Sequence, residues 1–192
     1  MQVQISAGFA AHHRDHAASL FWEAFKAKLG PVMRPDQKAL AFLSSVLDPD
    51  HAISATAPNG DLLGIAGFKT AKGAFVGGEM ADLARSYGWI GGSWRGVLLS
   101  LLERDLQDDT LLMDGIFVTP QARGQGVGTK LLRAIKAEAD TRSLAHIRLD
   151  VIDTNPRARA LYEREGFVAG AVSHLGPLKY LFGFNHAKIG RA

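Results

Sequence analysis

The stretch that most restricts the fold of this chain runs from Leu111 to Asp140. Leu111–Val118 is nearly all apolar, as in a strand buried on both faces. It leads through Thr119-Pro120-Gln121-Ala122 into Arg123-Gly124-Gln125-Gly126-Val127-Gly128-Thr129-Lys130. Over Thr129–Asp140 the residues Leu131, Leu132, Ile135 and Ala139 recur at helical spacing, with Lys130, Arg133 and Lys136 on the other side. A buried strand that turns through glycines into an amphipathic helix calls for a mixed α/β domain. The same turn suits an anion. Unpaired N–H groups and the dipole at a helix start attract phosphate, glycines allow close approach to the backbone, and Arg123 adds a positive charge.

Two common phosphate motifs fail here. A P-loop ends in Gly-Lys-Ser/Thr, whereas Thr129 separates Gly128 from Lys130. The dinucleotide motif needs Gly-x-Gly-x-x-Gly, and this loop reads Gly-x-Gly-x-Gly with threonine at 129.

Bulk properties narrow the class further. The 192 residues fit one domain better than two, and with 47% hydrophobic and 21% charged residues the chain can bury a core. A net charge of +3 suits a small anionic ligand and is too slight to argue for nucleic acid. The absence of cysteine excludes disulfides, thiolate metal sites and a cysteine nucleophile. Met1–Ile5 lacks the basic and apolar regions of a signal peptide, and Val97–Leu102 is far shorter than the roughly 20 residues of a membrane span. The expectation is a soluble, cytoplasmic protein.

Elsewhere, Val3–Ser6 reads as a first strand. Ala17, Leu20, Phe21, Ala24, Phe25 and Leu29 mark an amphipathic helix that Gly30-Pro31 should stop, and a second helix runs from about Pro35 to before Pro49. Ala52–Ala57 and Leu62–Thr70 flank Pro58-Asn59-Gly60-Asp61, a hairpin signal. Residues 71–107 predict two helices, roughly Glu79–Tyr87 and Ser93–Leu106. His146–Val151 alternates as a strand, Asn155–Glu165 is helical, and Phe167–His174 and Lys179–Asn185 read as final strands.

Arg123-Gly-Gln-Gly-Val-Gly128 resembles the Gln/Arg-x-x-Gly-x-Gly/Ala signature of the GCN5-related N-acetyltransferase (GNAT) superfamily. The preceding Val118-Thr119-Pro120 is similar to that family as well, and so is a second block, Asn155-x-x-Ala158-x-x-Leu161-Tyr162-x-x-x-Gly166-Phe167. The specific match covers residues 111–167. It implies a single domain over residues 1–192, with a central mixed, mostly antiparallel sheet flanked by helices. The helices expected over about 71–107 then form an insertion between the third and fourth strands.

The resemblance also implies an activity, the transfer of an acetyl group from acetyl-CoA to a primary amine by direct attack on the thioester. The backbone of Arg123, Gly124, Gln125, Gly126, Val127, Gly128 and Thr129 would hold the pyrophosphate. The pantetheine arm would run beside Phe117 and Val118, with the Val118 N–H donating to the thioester carbonyl. Asn155 would contact that arm, Ala158 would leave it room, and Tyr162 would protonate the leaving sulfur. Asn155-Pro156 is equally a good helix cap, and Tyr162 equally a half-buried aromatic on an amphipathic helix.

Asp114 is the one ionisable residue within Leu111–Val118, and a carboxylate in an apolar strand is costly unless paired or functional. It is the candidate base, either directly or through water, and a positioning role remains open. His174 is a weaker candidate. His12, His13, Asp15 and His16 are read as exposed residues at a helix start, with no metal site expected. The rival reading is a non-catalytic coenzyme A-binding sensor or scaffold. The acceptor is a small-molecule or peptide amine, with neither nucleic acid nor membrane as partner and a homodimer left open. The insertion, with Trp89, Ile90 and Trp94, is expected to help build the acceptor side of the site.

Overall fold

The computed structural model describes residues 2–100, 106–152, 156–174 and 186–191. In chain order these give β1 (Gln4–Ala7), α1 (Arg14–Met33), α2 (Asp36–Val46), β2 (Ala52–Thr56), β3 (Leu62–Thr70), β4 (Gly73–Ala74), α3 (Met80–Tyr87) and α4 (Trp89–Ser100). There follow β5 (Thr110–Val118), α5 (Val127–Thr141), β6 (His146–Ile152), α6 (Pro156–Arg164), β7 (Val168–His174) and β8 (His186–Arg191).

All the described strands join one sheet of order β1-β2-β3-β5-β6-β8-β7, with the two-residue β4 paired to β3. Only β5 and β6 run parallel; the other pairs are antiparallel. This is the expected mixed, mostly antiparallel sheet flanked by helices. Side-chain alternation along the strands divides the core in two. On one face Ile65 and Phe117 meet Phe21, Trp22, Met33, Phe42 and Leu43 of α1 and α2. On the other, Ala66, Phe68, Leu111, Met113, Ile147 and Leu149 meet Leu131, Leu132 and Ile135 of α5, together with Tyr162 and Phe167.

Two sequence expectations need correction, and a third falls outside the described residues. Gly30-Pro31 does not stop α1, which continues to Met33. Pro31 removes one helical donor, but Val32 and Met33 are fully buried and hold the last turn against the core. The end of that turn is capped from a distance: the Tyr87 hydroxyl donates to the Met33 carbonyl at 2.5 Å, and an Arg95 Nη donates to the Arg34 carbonyl at 3.2 Å. The expectation that falls outside the described residues concerns the last strand. Lys179–Asn185 lies outside the described residues, and the observed β8, His186–Arg191, has too few apolar residues to announce itself. It is a strand because it pairs with β6 on one side and β7 on the other.

The second correction concerns residues 71–107. The expected helices are present as α3 and α4, but α4 begins at Trp89 rather than Ser93, so Gly91 and Gly92 lie inside it. A Cβ on Gly92 would stand 2.6 Å from the Ala84 nitrogen, which shows that glycine is there to let the two helices touch. The pair packs on α2 and α1, on the face of the sheet opposite α5 and Tyr162. The insertion, expected to help build the acceptor side of the site, thus packs on the face away from the glycine loop and Tyr162, which counts against that expectation. An apolar cleft of about 280 Å³, lined by Phe21, Met33, Phe42, Met80 and Leu83 among others, separates it from α1 and α2. Among the described residues, no helix is long and apolar enough to cross a membrane.

Candidate active site

The glycine loop owes its shape to two residues with positive φ. After a short 3-10 turn at Pro120–Ala122, Gly124 (φ +74°) and Gly126 (φ +78°) take left-handed conformations that L side chains avoid. Apart from the flanking residues, no atom of the described residues lies within 4 Å of where a Cβ would stand on either, so both present open backbone. Gly126 caps α5, and the first bond closing that helix runs from the Lys130 amide to the Gly126 carbonyl. Among the described residues, the amides of Gly124–Thr129 find no backbone partner. A row of unpaired donors at the start of a fifteen-residue helix is the geometry that binds phosphate oxygens.

Beside the loop, β5 presents a second row of backbone groups. Its pairing with β6 covers Thr110–Met113 against His146–Leu149, and among the described residues it does not extend to Asp114–Val118. On the other side, Phe117 faces Ile65, Val118 faces Gly64, and the Thr119 amide bonds the Leu63 carbonyl at 2.9 Å. Antiparallel partners alternate between bonded and non-bonded pairs. Thr119 and Phe117 therefore direct their amides at β3, whereas Ile116 and Val118 direct theirs at the open side. Arg123 Nε donates to the Val118 carbonyl at 3.1 Å, which leaves the Val118 N–H as the available donor. The Phe117 side chain turns away and packs against Phe21 and Phe25.

The strands part at Asp114. Gly67 faces Gly115 while Phe68 faces Met113, so Asp114 is the extra residue of a β-bulge. Burial pushes its carboxyl up to about 6, against the opposing pull of Lys69 and then Lys28. Those lysines belong to the α1 face, so Asp114 looks to the side away from α5. An Asp-Gly pair inside an apolar run is a sequence sign of such a bulge. Lys28 and Lys69 themselves were not legible as its neighbours.

The second block comes in from the opposite face. Ala158 and Tyr162 are one turn apart on α6 and share a side of it. Tyr162 is buried with its ring edge-on to Phe167, and burial raises its hydroxyl to about 12. At Gly128 a Cβ would meet Leu161 Cδ2 at 3.4 Å and Ile116 Cγ2 at 4.0 Å, so the loop, α6 and the open part of β5 converge there. Arg133 pairs with Glu165 at 3.1 Å, and Lys136 donates to the Glu165 carbonyl at 2.5 Å, tying α5 to the end of α6.

The structure thus brings together Val118, Arg123–Thr129, Ala158 and Tyr162, with Asp114 across the gap between β5 and β6. Asn155 lies outside the described residues. His174 ends β7, three strands from β5. His13 is buried and its Nε2 lies 2.9 Å from the Gly60 carbonyl, so it is a structural residue rather than an exposed one. Among the described residues, no group of three or more metal-ligating side chains forms.

Comparison with known proteins agrees with this geometry. Residues 14–167 match the Acetyltransferase (GNAT) family. A 56-residue segment is 36% identical to thialysine N-epsilon-acetyltransferase of Bos taurus, covering 29% of this chain and 33% of that protein. The same enzyme of Mus musculus is 39% identical over 51 residues, covering 27% and 30%. The chain therefore matches about a third of the length of these relatives. In fold it is similar to an N-acetyltransferase from Staphylococcus aureus Mu50, with TM-score 0.70 and 16% identity over 98% of this chain and 100% of the other. It is similar also to a GCN5-related N-acetyltransferase from Kribbella flavida, with TM-score 0.65 and 15% identity over 99% and 96%. On the match over residues 14–167, which is most of its length, the chain belongs to the GNAT family of acetyltransferases.

Proposed function

We infer that this protein is an N-acetyltransferase that moves the acetyl group of acetyl-coenzyme A to a primary amine. The observation that carries the reading is the open edge of β5 at Ile116 and Val118, continuous with the unpaired amides of Gly124–Thr129. These residues fit the cofactor: the amide row suits a pyrophosphate, and the strand edge suits the amide-bearing pantetheine arm. Bound acetyl-coenzyme A supplies an acetyl carbonyl activated as a thioester. The Val118 N–H donates to that carbonyl oxygen, where negative charge grows as the amine attacks. Asp114 takes the proton that the amine must lose; with its carboxyl near 6 it is ionised at neutral pH and still a competent base. Tyr162, raised to about 12 and so protonated, gives a proton to the departing sulfur as the C–S bond breaks and the N–C bond forms.

The two side chains lie on opposite faces of the sheet, and the gap between β5 and β6 joins them. Such an arrangement suits direct transfer, with acceptor and leaving group on opposite sides of the acetyl carbon. The whole chain is read as one such domain acting in the cytoplasm. The names of the relatives make a terminal amine like that of thialysine a sensible first acceptor. The test is to incubate purified protein with acetyl-coenzyme A and a panel of amines, following thiol release and a mass gain of about 42 Da, one acetyl group. Tight coenzyme A binding with no turnover across the panel would favour the sensor reading instead.

A further inference from the structure

Asp114 shares its face of the sheet with a row of cations. Lys69 on β3 faces Leu112 on β5, and Leu112 faces Arg148 on β6. Paired residues share a face, so Lys69, Leu112 and Arg148 form a row across three strands. Their sequence neighbours Phe68, Leu111, Met113, Ile147 and Leu149 are all in the core under α5, which puts the row on the α1 face. With neighbouring strands about 4.8 Å apart, the Lys69 and Arg148 backbones stand about 10 Å from each other, within joint reach of one small anion. Lys28 comes from α1, its ammonium 6.0 Å from the Phe25 ring, which in turn rests on Phe117.

All three cations are half-buried, so salt screens them less than it screens surface charge. The Arg148 Nε is buried and finds no hydrogen-bond partner among the described residues, an orphaned donor of the kind a bound anion satisfies. Lys28 and Lys69 both act on the Asp114 carboxylate, yet burial still dominates its ionisation.

We propose that Lys28, Lys69 and Arg148 form a site for an anionic group, a carboxylate or a phosphate, carried by the acceptor, and so select amines that bear one. This rests on the reading that the acceptor approaches Asp114 from the α1 face. An acceptor with an amine at one end and an anion at the other complements the carboxylate and the cations in one pose.

The experiment measures kcat/KM and calorimetric affinity for butylamine, 4-aminobutyrate and 3-aminopropyl phosphate. The proteins are the wild type, Lys69→Met, Arg148→Met, Lys28→Met, Lys69→Arg and Arg148→Lys. Wild type should favour at least one anionic amine over butylamine by about tenfold or more, the effect of one charge-assisted contact. The Met variants should shrink that ratio severalfold, and the charge-conserving variants should keep most of it. A wild type without preference, in binding and turnover alike, overturns the site whatever the variants do. So does a preference that all three Met variants retain. Anion-dependent binding that the Met variants lose, with no acetylation of any amine, upholds the site and overturns the acetyl-transfer reading instead.

Discussion

At the scale of single residues, Asp114 and Tyr162 are set apart by what burial does to each. The Asp114 carboxyl lies above its ordinary 3.8, at about 6, so the folded protein holds that proton through a window where the unfolded chain has lost it. Two consequences have opposite signs. Stability falls as pH rises from about 4 to 6, because folding must then take up a proton that the unfolded chain has already released. Activity rises over the upper part of that window, because only the ionised carboxylate accepts a proton. A plot of kcat/KM against pH should drop about tenfold per unit below pH 6 and level off above it. Asp114→Asn should remove that limb and lower the plateau by about 10² to 10⁴. A limb that survives in the Asn variant assigns the base elsewhere. Tyr162→Phe keeps the packing on Phe167 and removes the acid. Turnover should fall about 10- to 10⁴-fold with acetyl-coenzyme A affinity unchanged. Unchanged turnover at saturating substrate would leave Tyr162 a packing residue.

At the scale of elements, what could be read in advance was what local chemistry dictates. Gly124 and Gly126 were legible because glycine takes a φ of +74° or +78° without the strain an L side chain would meet there. The helix that follows was legible because Leu131, Leu132 and Ile135 must all face one core. The last strand was not legible, since His186–Arg191 is a strand only through its two neighbours. Nor was the passage of α1 through Pro31, which depends on Tyr87 and Arg95 fifty and more residues away. The row Lys69-Leu112-Arg148 was invisible for a similar reason, because register across strands is a tertiary fact. The loop itself can be tested directly. Gly126→Asp forces a side chain onto a left-handed backbone and sets a carboxylate where phosphate should lie. Gly128→Val pushes branched methyls toward Leu161 and Ile116. Calorimetric titration of the folded variants should find acetyl-coenzyme A binding below detection in both, and near-wild-type affinity in both would remove the loop from the cofactor site.

At the scale of the whole molecule, one sheet separates two cores with separable duties. The α5–α6 side holds the amide row and Tyr162; the other side holds α1, α2, the insertion and the cation row. The insertion caps the end of α1, where the helix leaves its last carbonyls unpaired and the Tyr87 hydroxyl and Arg95 supply donors. Tyr87→Phe would strand the Met33 carbonyl in a buried place, at a cost of about 1–3 kcal/mol. For a domain of this size that lowers Tm by about 2–12 °C. Leu131→Ala, on the α5 side, should destabilise by about 2–5 kcal/mol, since Leu131 is fully buried. The two variants should differ sharply in cofactor binding at 25 °C, where both remain folded. Tyr87→Phe leaves α5 and the open edge of β5 supported by their own core, so its acetyl-coenzyme A affinity should match wild type. Leu131→Ala loosens the first turns of α5, whose amides make the cradle, and should weaken binding severalfold. Thermal melts paired with calorimetric titration of both proteins make the comparison. Equal loss of cofactor affinity in the two would mean that the sheet transmits damage between its faces and that the division of duties is wrong.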